Sequence, residues 1–172
     1  VDGNECDSGE AMSFEIERKF LVINAGWRDY IEAETRLIQG YLTASGPVTV
    51  RVRLDATQAY LTLKSATTGI SRREFEYPIP FADAETLLRE LAVLPLIEKT
   101  RYRVRHGRHL WDLDVFVGEN AGLVLAELEL EHVAETFERP AWLGAEVSAD
   151  PRYFNSQLAQ HPYCRWEQSE QS

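Results

Sequence analysis

Hydrophobic and polar residues alternate with a period of two through most of the chain, and clusters of turn residues separate the runs. That pattern predicts short antiparallel strands, each with one apolar and one polar face. About eight runs qualify: residues 13–22, 35–43, 47–54, 58–65, 70–79, 97–105, 109–117 and 122–132. Gly46-Pro47, Thr68-Gly69, His106-Gly107 and residues 120–122 supply turn chemistry between them. A helix is expected over residues 83–92, with Asp83 as N-cap and Leu87, Leu88 and Leu91 as its apolar stripe. A second is expected near residues 152–160, and shorter helical pieces around 27–33 and 134–137. No internal repeat or low-complexity segment interrupts this series.

Side chains two apart on a strand share a face, so each run sorts into two sets. One set is charged almost throughout. Glu15, Glu17 and Lys19 oppose Ile16 and Phe20; Arg51 and Arg53 oppose Val50 and Val52; Thr62 and Lys64 oppose Leu61 and Leu63. Arg72, Glu74 and Glu76 oppose Phe75 and Tyr77, while Lys99, Arg101 and Arg103 oppose Tyr102 and Val104. Asp112 and Asp114 oppose Trp111, Leu113 and Val115, and Glu127, Glu129 and Glu131 oppose Ala126, Leu128 and Leu130. One such strand would ordinarily lie on a sheet whose charged face meets water. Here the pattern repeats over strand after strand and the signs are sorted, with acid-rich first, seventh and eighth runs and basic third, fourth and sixth runs.

Closing eight strands into a barrel would turn the charged sets inward and leave the apolar backs to be covered from outside. The expected fold class is therefore α+β, mainly β: an eight-stranded antiparallel closed β-barrel or tunnel with a charged interior, flanked by a few helices. So many ions in one interior are costly unless they pair or bind a ligand and metals. The Glu-x-Glu pairs suit Mg²⁺ or Mn²⁺, hard cations that prefer oxygen ligands. Arg51, Arg53, Lys64, Arg72, Lys99 and Arg101 suit a phosphate oligomer, Arg by bidentate forks and Lys as a point charge.

Composition sharpens this picture. The 172 residues are 44% hydrophobic and carry 18 Lys+Arg against 28 Asp+Glu, a formal net charge of -10. That balance argues against nucleic acid as partner, yet a polyanion complexed with metal remains compatible, because bound cations change the local sign. Residues 1–11 are polar and acidic and are set aside as a leader or disordered extension; 12–166 form the expected single domain and 167–172 a disordered tail. No apolar run reaches the length of a membrane span, and the two cysteines, Cys6 and Cys164, form no metal or redox motif. A cytoplasmic location without a membrane partner is expected, as monomer or homodimer. The four histidines, Cys164 and the four tryptophans are assigned to surface, turn or outer-face packing, and no phosphate-cradling glycine loop is present.

The Glu15-x-Glu17-x-Lys19 element, in FEIERKFLV, resembles the signature of the triphosphate tunnel metalloenzymes, the CYTH superfamily. The similarity continues in order through QGYL (39–42), RVR (51–53), TLKS (62–65), SRREFE (71–76), EKTRY (98–102), DLDVF (112–116), AELELE (126–131) and DPRYFNSQLA (150–159). It covers nearly all of residues 12–159 and is similar to the small bacterial single-domain members that include inorganic triphosphatases. The resemblance implies a triphosphate bound inside the tunnel and dependence on Mg²⁺ or Mn²⁺. By motif it makes Glu15, Glu17, Glu127, Glu129 and Asp114 the metal carboxylates, with Asp112 and Glu76 supporting the metals or the attacking water. Lys19, Arg51, Arg53, Lys64, Arg72, Lys99 and Arg101 become triphosphate contacts, and Glu15, Glu17, Lys19, Glu76, Lys99 and Asp114 the catalytic set. Glu74 and Glu131 read as ion-pair partners, Arg103 as either. The terminal segment at 152–160 is expected to cap one tunnel mouth. The implied reaction is hydrolysis of inorganic triphosphate to pyrophosphate and phosphate. An organic triphosphate enzyme of the same fold (nucleoside or thiamine triphosphatase, adenylate cyclase) and a non-catalytic polyphosphate-binding module stay open.

Overall fold

The computed structural model describes residues 14–66 and 70–167. The expected leader, Met12 and Ser13, the Thr68-Gly69 turn and the tail from residue 168 onward lie outside the described residues. Nine strands form one sheet: β1 (Phe14–Val22), β2 (Ile31–Thr43), β3 (Val48–Leu54), β4 (Ala59–Ser65), β5 (Ser71–Pro78), β6 (Val93–His106), β7 (His109–Phe116), β8 (Val124–Glu129) and β9 (Leu143–Glu146). Their order is β5-β4-β3-β2-β6-β7-β8-β1-β9, and an additional β1–β5 pairing closes β1 to β8 into an antiparallel ring. β1 is the seam. One edge pairs with β8 across Glu17–Leu21, and the other is shared between β5, at Phe14–Ile16, and β9, at Phe20 and Val22.

The ring follows from the alternation, and its departures have local causes. β2 begins at Ile31 rather than Thr35, because the expected helical piece shrinks to a 3₁₀ turn at Gly26–Tyr30 and the chain then pairs at once with Val104 of β6. β6 likewise starts at Val93, and β9, four residues with no alternation to betray it, was not foreseen. Helix α1 spans Phe81–Glu90 with Pro80 in the N-cap position. Asp83 sits inside its first turn instead, where a carboxylate still favours the positive end of the helix. The buried contacts are Ala84 and Leu88, one turn apart, whereas Leu91 is exposed. No helix forms at 134–137, and the segment at 152–160 divides into a 3₁₀ turn at Pro151–Tyr153 and a short α2 (Asn155–Leu158).

The apolar backs are covered in two places. Outside β2, β3 and β4, α1 packs Ala84 and Leu88 onto Val52, Leu54 and Ala59. Gly40 makes this close approach possible, since a Cβ there would meet the side chains of Leu88, Ala92 and Leu96 at 2.8 Å. Outside β1, β7 and β8, fully buried Trp111 meets Phe20, Phe137 and Trp142 edge-on at 5.4–5.8 Å between ring centres. His109, expected at the surface, is half-buried beside Phe137 and places Nε2 3.0 Å from Glu135. A third cluster lies inside the ring: Ile97, Phe116 and Leu125 pack on Tyr153, Leu158, Ala159 and Trp166. The inward face of β6, β7 and β8 thus turns from charged to apolar along its length, and the terminal segment plugs that end. Trp166 therefore belongs to the plug and not to the outer face.

Candidate active site

Register decides which charges meet. Residues directly opposite in an antiparallel pair share a face, and the ladders place Glu15 against Arg72, Lys19 against Glu127, Lys64 against Glu74, Arg103 against Asp112 and Asp112 against Glu127. Together they line a cavity of about 810 Å³ inside the ring. Its wall carries seven carboxylates (Glu15, Glu17, Glu74, Glu76, Asp112, Glu127, Glu129) and seven cations (Lys19, Arg51, Arg53, Lys64, Arg72, Arg101, Arg103). The charges cancel in sum but not in place.

The half built by β3, β4 and β5 leans positive. Lys64 Nζ lies 3.0 Å from Glu15 and 2.6 Å from Glu74, while Arg72 Nε donates to Glu15 at 2.7 Å. Arg51 and Arg53 converge on Glu76 at 3.3 and 2.9 Å, and Arg51 also donates to the buried Thr62 hydroxyl at 3.1 Å. Burial opposes the charge on Glu15, but Lys64 and Arg72 outweigh it and bring its pKa to about 2. Glu74 is pushed upward by burial despite Lys64, with Glu15 beside it adding to the rise.

The half built by β6, β7 and β8 with the centre of β1 leans negative. Lys19 Nζ is 2.5 Å from Glu127 and 3.6 Å from Glu17. Arg101 spends all three guanidinium nitrogens on carboxylates: Nε on Asp114 at 2.7 Å, Nη1 on Asp112 at 2.8 Å, and Nη2 on Asp114 and Glu127 at 2.7 and 2.6 Å. Lys99 bonds Asp114 as well. Both are sealed from the cavity, at 2% and 0% exposure, so neither of these expected site residues lines it. They lie where the interior turns apolar, with Lys99 over the Phe116 ring at 5.3 Å.

Glu17 has the least compensation. Burial raises its pKa, and Glu127 and Glu15 raise it further against the pull of Lys19. A carboxyl pressed by neighbouring carboxylates is the kind that a hard divalent cation relieves, and Glu129 stands opposite it in register. As the side chains stand, among the described residues no three His, Cys, Asp or Glu converge into a metal cage. The oxygens suit Mg²⁺ or Mn²⁺ in kind, and Lys19 and Arg101 occupy Glu127 in their place.

A family model described as CYTH domain matches residues 13–163. The chain belongs to the CYTH domain family. It is 43% identical over 152 residues to the inorganic triphosphatase of Acetivibrio thermocellus, covering 88% of this chain and 97% of that protein. Against the inorganic triphosphatase of Nitrosomonas europaea the identity is 41% over 150 residues, with 84% and 96% covered. A crystal structure described as the inorganic triphosphatase NE1496 superposes with a TM-score of 0.63 at 38% identity, over 84% of this chain and 97% of that one.

Within the CYTH tunnel, the sequence patterns brought together Glu15, Glu17, Lys19, Arg51, Arg53, Lys64, Arg72, Glu76, Arg101, Glu127 and Glu129. Glu131 drops out of the set, because β8 ends at Glu129 and the Glu131 amide donates to Glu135 in the following turn. Wall residues outside the charged sets include Ser148 and, from the segment expected to cap one mouth, Phe154, Asn155, Ser156 and Gln157. Tyr41 lines the cavity too. Ser148 carries no periodic signal; it accepts from the Lys19 amide at 2.9 Å and donates to Glu146 at 2.7 Å, tying the segment after β9 to β1.

Proposed function

We propose that the protein hydrolyses inorganic triphosphate to pyrophosphate and phosphate inside the tunnel, with Mg²⁺ or Mn²⁺ as cofactor. The observation that carries this reading is the division of one cavity into a cation-rich and a carboxylate-rich half, in a chain similar over most of its length to two inorganic triphosphatases. Lys64, Arg72, Arg51 and Arg53 take the phosphoryl oxygens, exchanging Glu74 and Glu76 for the more highly charged substrate. Glu15 holds Lys64 and Arg72 in place before substrate arrives. Glu17, Glu127 and Glu129 are the carboxylates that hold metal, with Glu15 beside them. The metal supplies Lewis-acid stabilisation of charge on the transferred phosphoryl group. Lys19, held by Glu127 and Glu17 in the carboxylate half, meets the substrate from that side, and Arg101, backed by Asp114 and Lys99, keeps Asp112 and Glu127 aimed into the cavity. Water attacks the terminal phosphorus in line, the bridging P–O bond breaks, and pyrophosphate leaves along the tunnel. Cytoplasmic action as a monomer or homodimer, without a membrane or nucleic-acid partner, completes the proposal.

Phosphate release from inorganic triphosphate, ATP, thiamine triphosphate and pyrophosphate, each with Mg²⁺, Mn²⁺ or EDTA, tests it. Preference for inorganic triphosphate that EDTA abolishes is the expected result. Binding without release under every metal would sink the hydrolytic reading.

A further inference from the structure

A side-chain amide held inside a protein is costly unless it is hydrogen-bonded. Asn24 and Asn120 spend theirs on the fold. Asn24 accepts from the Gly26 amide at 2.9 Å and donates to the Ala141 carbonyl at 3.1 Å, while Asn120, 1% exposed, accepts from the Tyr163 amide at 2.8 Å. Asn155 is different. It stands in α2, where the plug meets the cavity, and its Oδ1 is buried without a hydrogen-bond partner. Among the described residues, the buried side-chain atoms left unpaired include two from the cavity wall, this oxygen and Nε of Arg51.

Local structure does not account for the residue. An Asn at the start of a helix ordinarily caps it, but Phe154 holds the cap position of α2, and Asp150 caps the preceding turn by accepting from the Arg152 amide at 3.0 Å. The backbone of Asn155 is fixed without its side chain. Its carbonyl accepts from the Ala159 amide at 3.0 Å, and Tyr153, Leu158 and Ala159, all buried, anchor the plug on Ile97, Phe116 and Leu125. An unpaired polar atom that well-packed neighbours hold in place marks a group kept for something other than stability. The cavity that Asn155 faces is the one lined by Lys19, Arg51, Lys64 and Arg72.

We propose that Asn155 is a substrate-binding residue of the tunnel, its side-chain amide donating from Nδ2 to a phosphoryl oxygen of the triphosphate, so that the plug belongs to the site as well as closing it. The inference rests on the phosphate-binding reading of the tunnel cations. Arg51, Arg53 and Lys64 must each shed a carboxylate before they meet the substrate, whereas a neutral amide has no ion partner to give up. Turning the amide towards the substrate also takes Oδ1 out of its unpaired position.

The test compares Asn155→Ala and Asn155→Asp with the wild type in the full chain, by KM for inorganic triphosphate, by calorimetric titration with inorganic triphosphate in EDTA, and by thermal unfolding. Asn155→Ala is expected to raise KM and the dissociation constant about tenfold, the size of one hydrogen bond to a charged group, with kcat within about twofold of wild type. Asn155→Asp keeps the shape but replaces the donor with a negative charge, and is expected to weaken binding by about a hundredfold. The unfolding temperature of Asn155→Ala should not fall, because no hydrogen bond is lost and an unpaired polar atom leaves the interior. Unchanged affinity in Asn155→Ala, an Asn155→Asp that binds as tightly as Asn155→Ala, or a loss of affinity matched by a lower unfolding temperature would overturn the proposal. Should the wild type bind inorganic triphosphate without hydrolysing it, the hydrolytic reading falls instead, and the ratio of dissociation constants still decides Asn155.

Discussion

The two halves of the tunnel hold similar residues under different constraints. In the β3–β5 half the carboxylates Glu74 and Glu76 are each shared among cations and sit partly open to the cavity, so a triphosphate can replace them. In the β6–β8 half, Asp114 is wholly buried and holds Lys99 and Arg101, and Arg101 in turn holds Asp112 and Glu127. Removing one partner there would strand a buried charge. Under the proposed function the first half exchanges Glu74 and Glu76 for substrate, while in the second Asp114 with Lys99 and Arg101 forms a fixed frame behind the carboxylates that face the cavity.

Breaking the carboxylate half should have the largest effect on turnover. Glu17→Ala is expected to lower kcat at saturating metal by on the order of a thousandfold while thermal unfolding stays near wild type. Wild-type rates in that variant would remove Glu17 from the metal set. Asp114→Ala should instead act on the fold, destabilising by about 3–5 kcal/mol in denaturant titration, because Lys99 and Arg101 lose their shared partner. In the exchanging half, Lys64→Ala should raise KM for inorganic triphosphate by about tenfold to a hundredfold with unfolding little changed. An unchanged KM would mean that the phosphate lies elsewhere.

Acidity separates two glutamates of the same strand. Glu15 is held near 2, below its ordinary 4.5, so its contribution to stability is complete above 4.5 and lost as pH falls towards 2. Glu15→Gln should remove on the order of 3 kcal/mol of that pH dependence, measured by urea unfolding across the window. Glu17 is raised, so metal affinity should fall with a midpoint above 4.5 as pH drops, and calorimetry of Glu17→Gln should lack that step. The smallest expected effect lies outside both halves. Gly40→Ala presses a methyl group into Leu88, Ala92 and Leu96 and should cost about 1–3 kcal/mol in stability with kcat/KM unchanged.

Most of the ring and most of the charged wall were legible because both depend on a period of two, which survives in sequence wherever one face is consistently charged. Legibility failed where that rule changes within a strand. Lys99 and Asp114 share the parity of Arg101 and Asp112, yet their neighbours on that face are Phe116, Ile97 and Leu125, so they are sealed under the plug. Parity assigns a face and not a depth along the tunnel. Ser148 and residues 154–157 reach the wall from loops and a one-turn helix, for which the chain offers no periodic signal. β9 was missed for the same reason, and Asp83 lost its capping role to a start set by Pro80.

β1 carries Glu15, Glu17 and Lys19 and is also the strand that closes the ring. Its partners lie far along the chain, near residues 71–73 and 125–129, with β9 later still. Contacts of such separation carry the greatest loop-closure entropy and slow a folding chain. The charged cluster is therefore assembled only when β1 meets both β5 and β8. A chain with an open barrel has neither a closed pair of edges nor a working set of glutamates, so catalytic competence reports on completed folding, and recovery of activity after dilution from denaturant should not precede the burial of Trp111, which packs on Phe20 of β1.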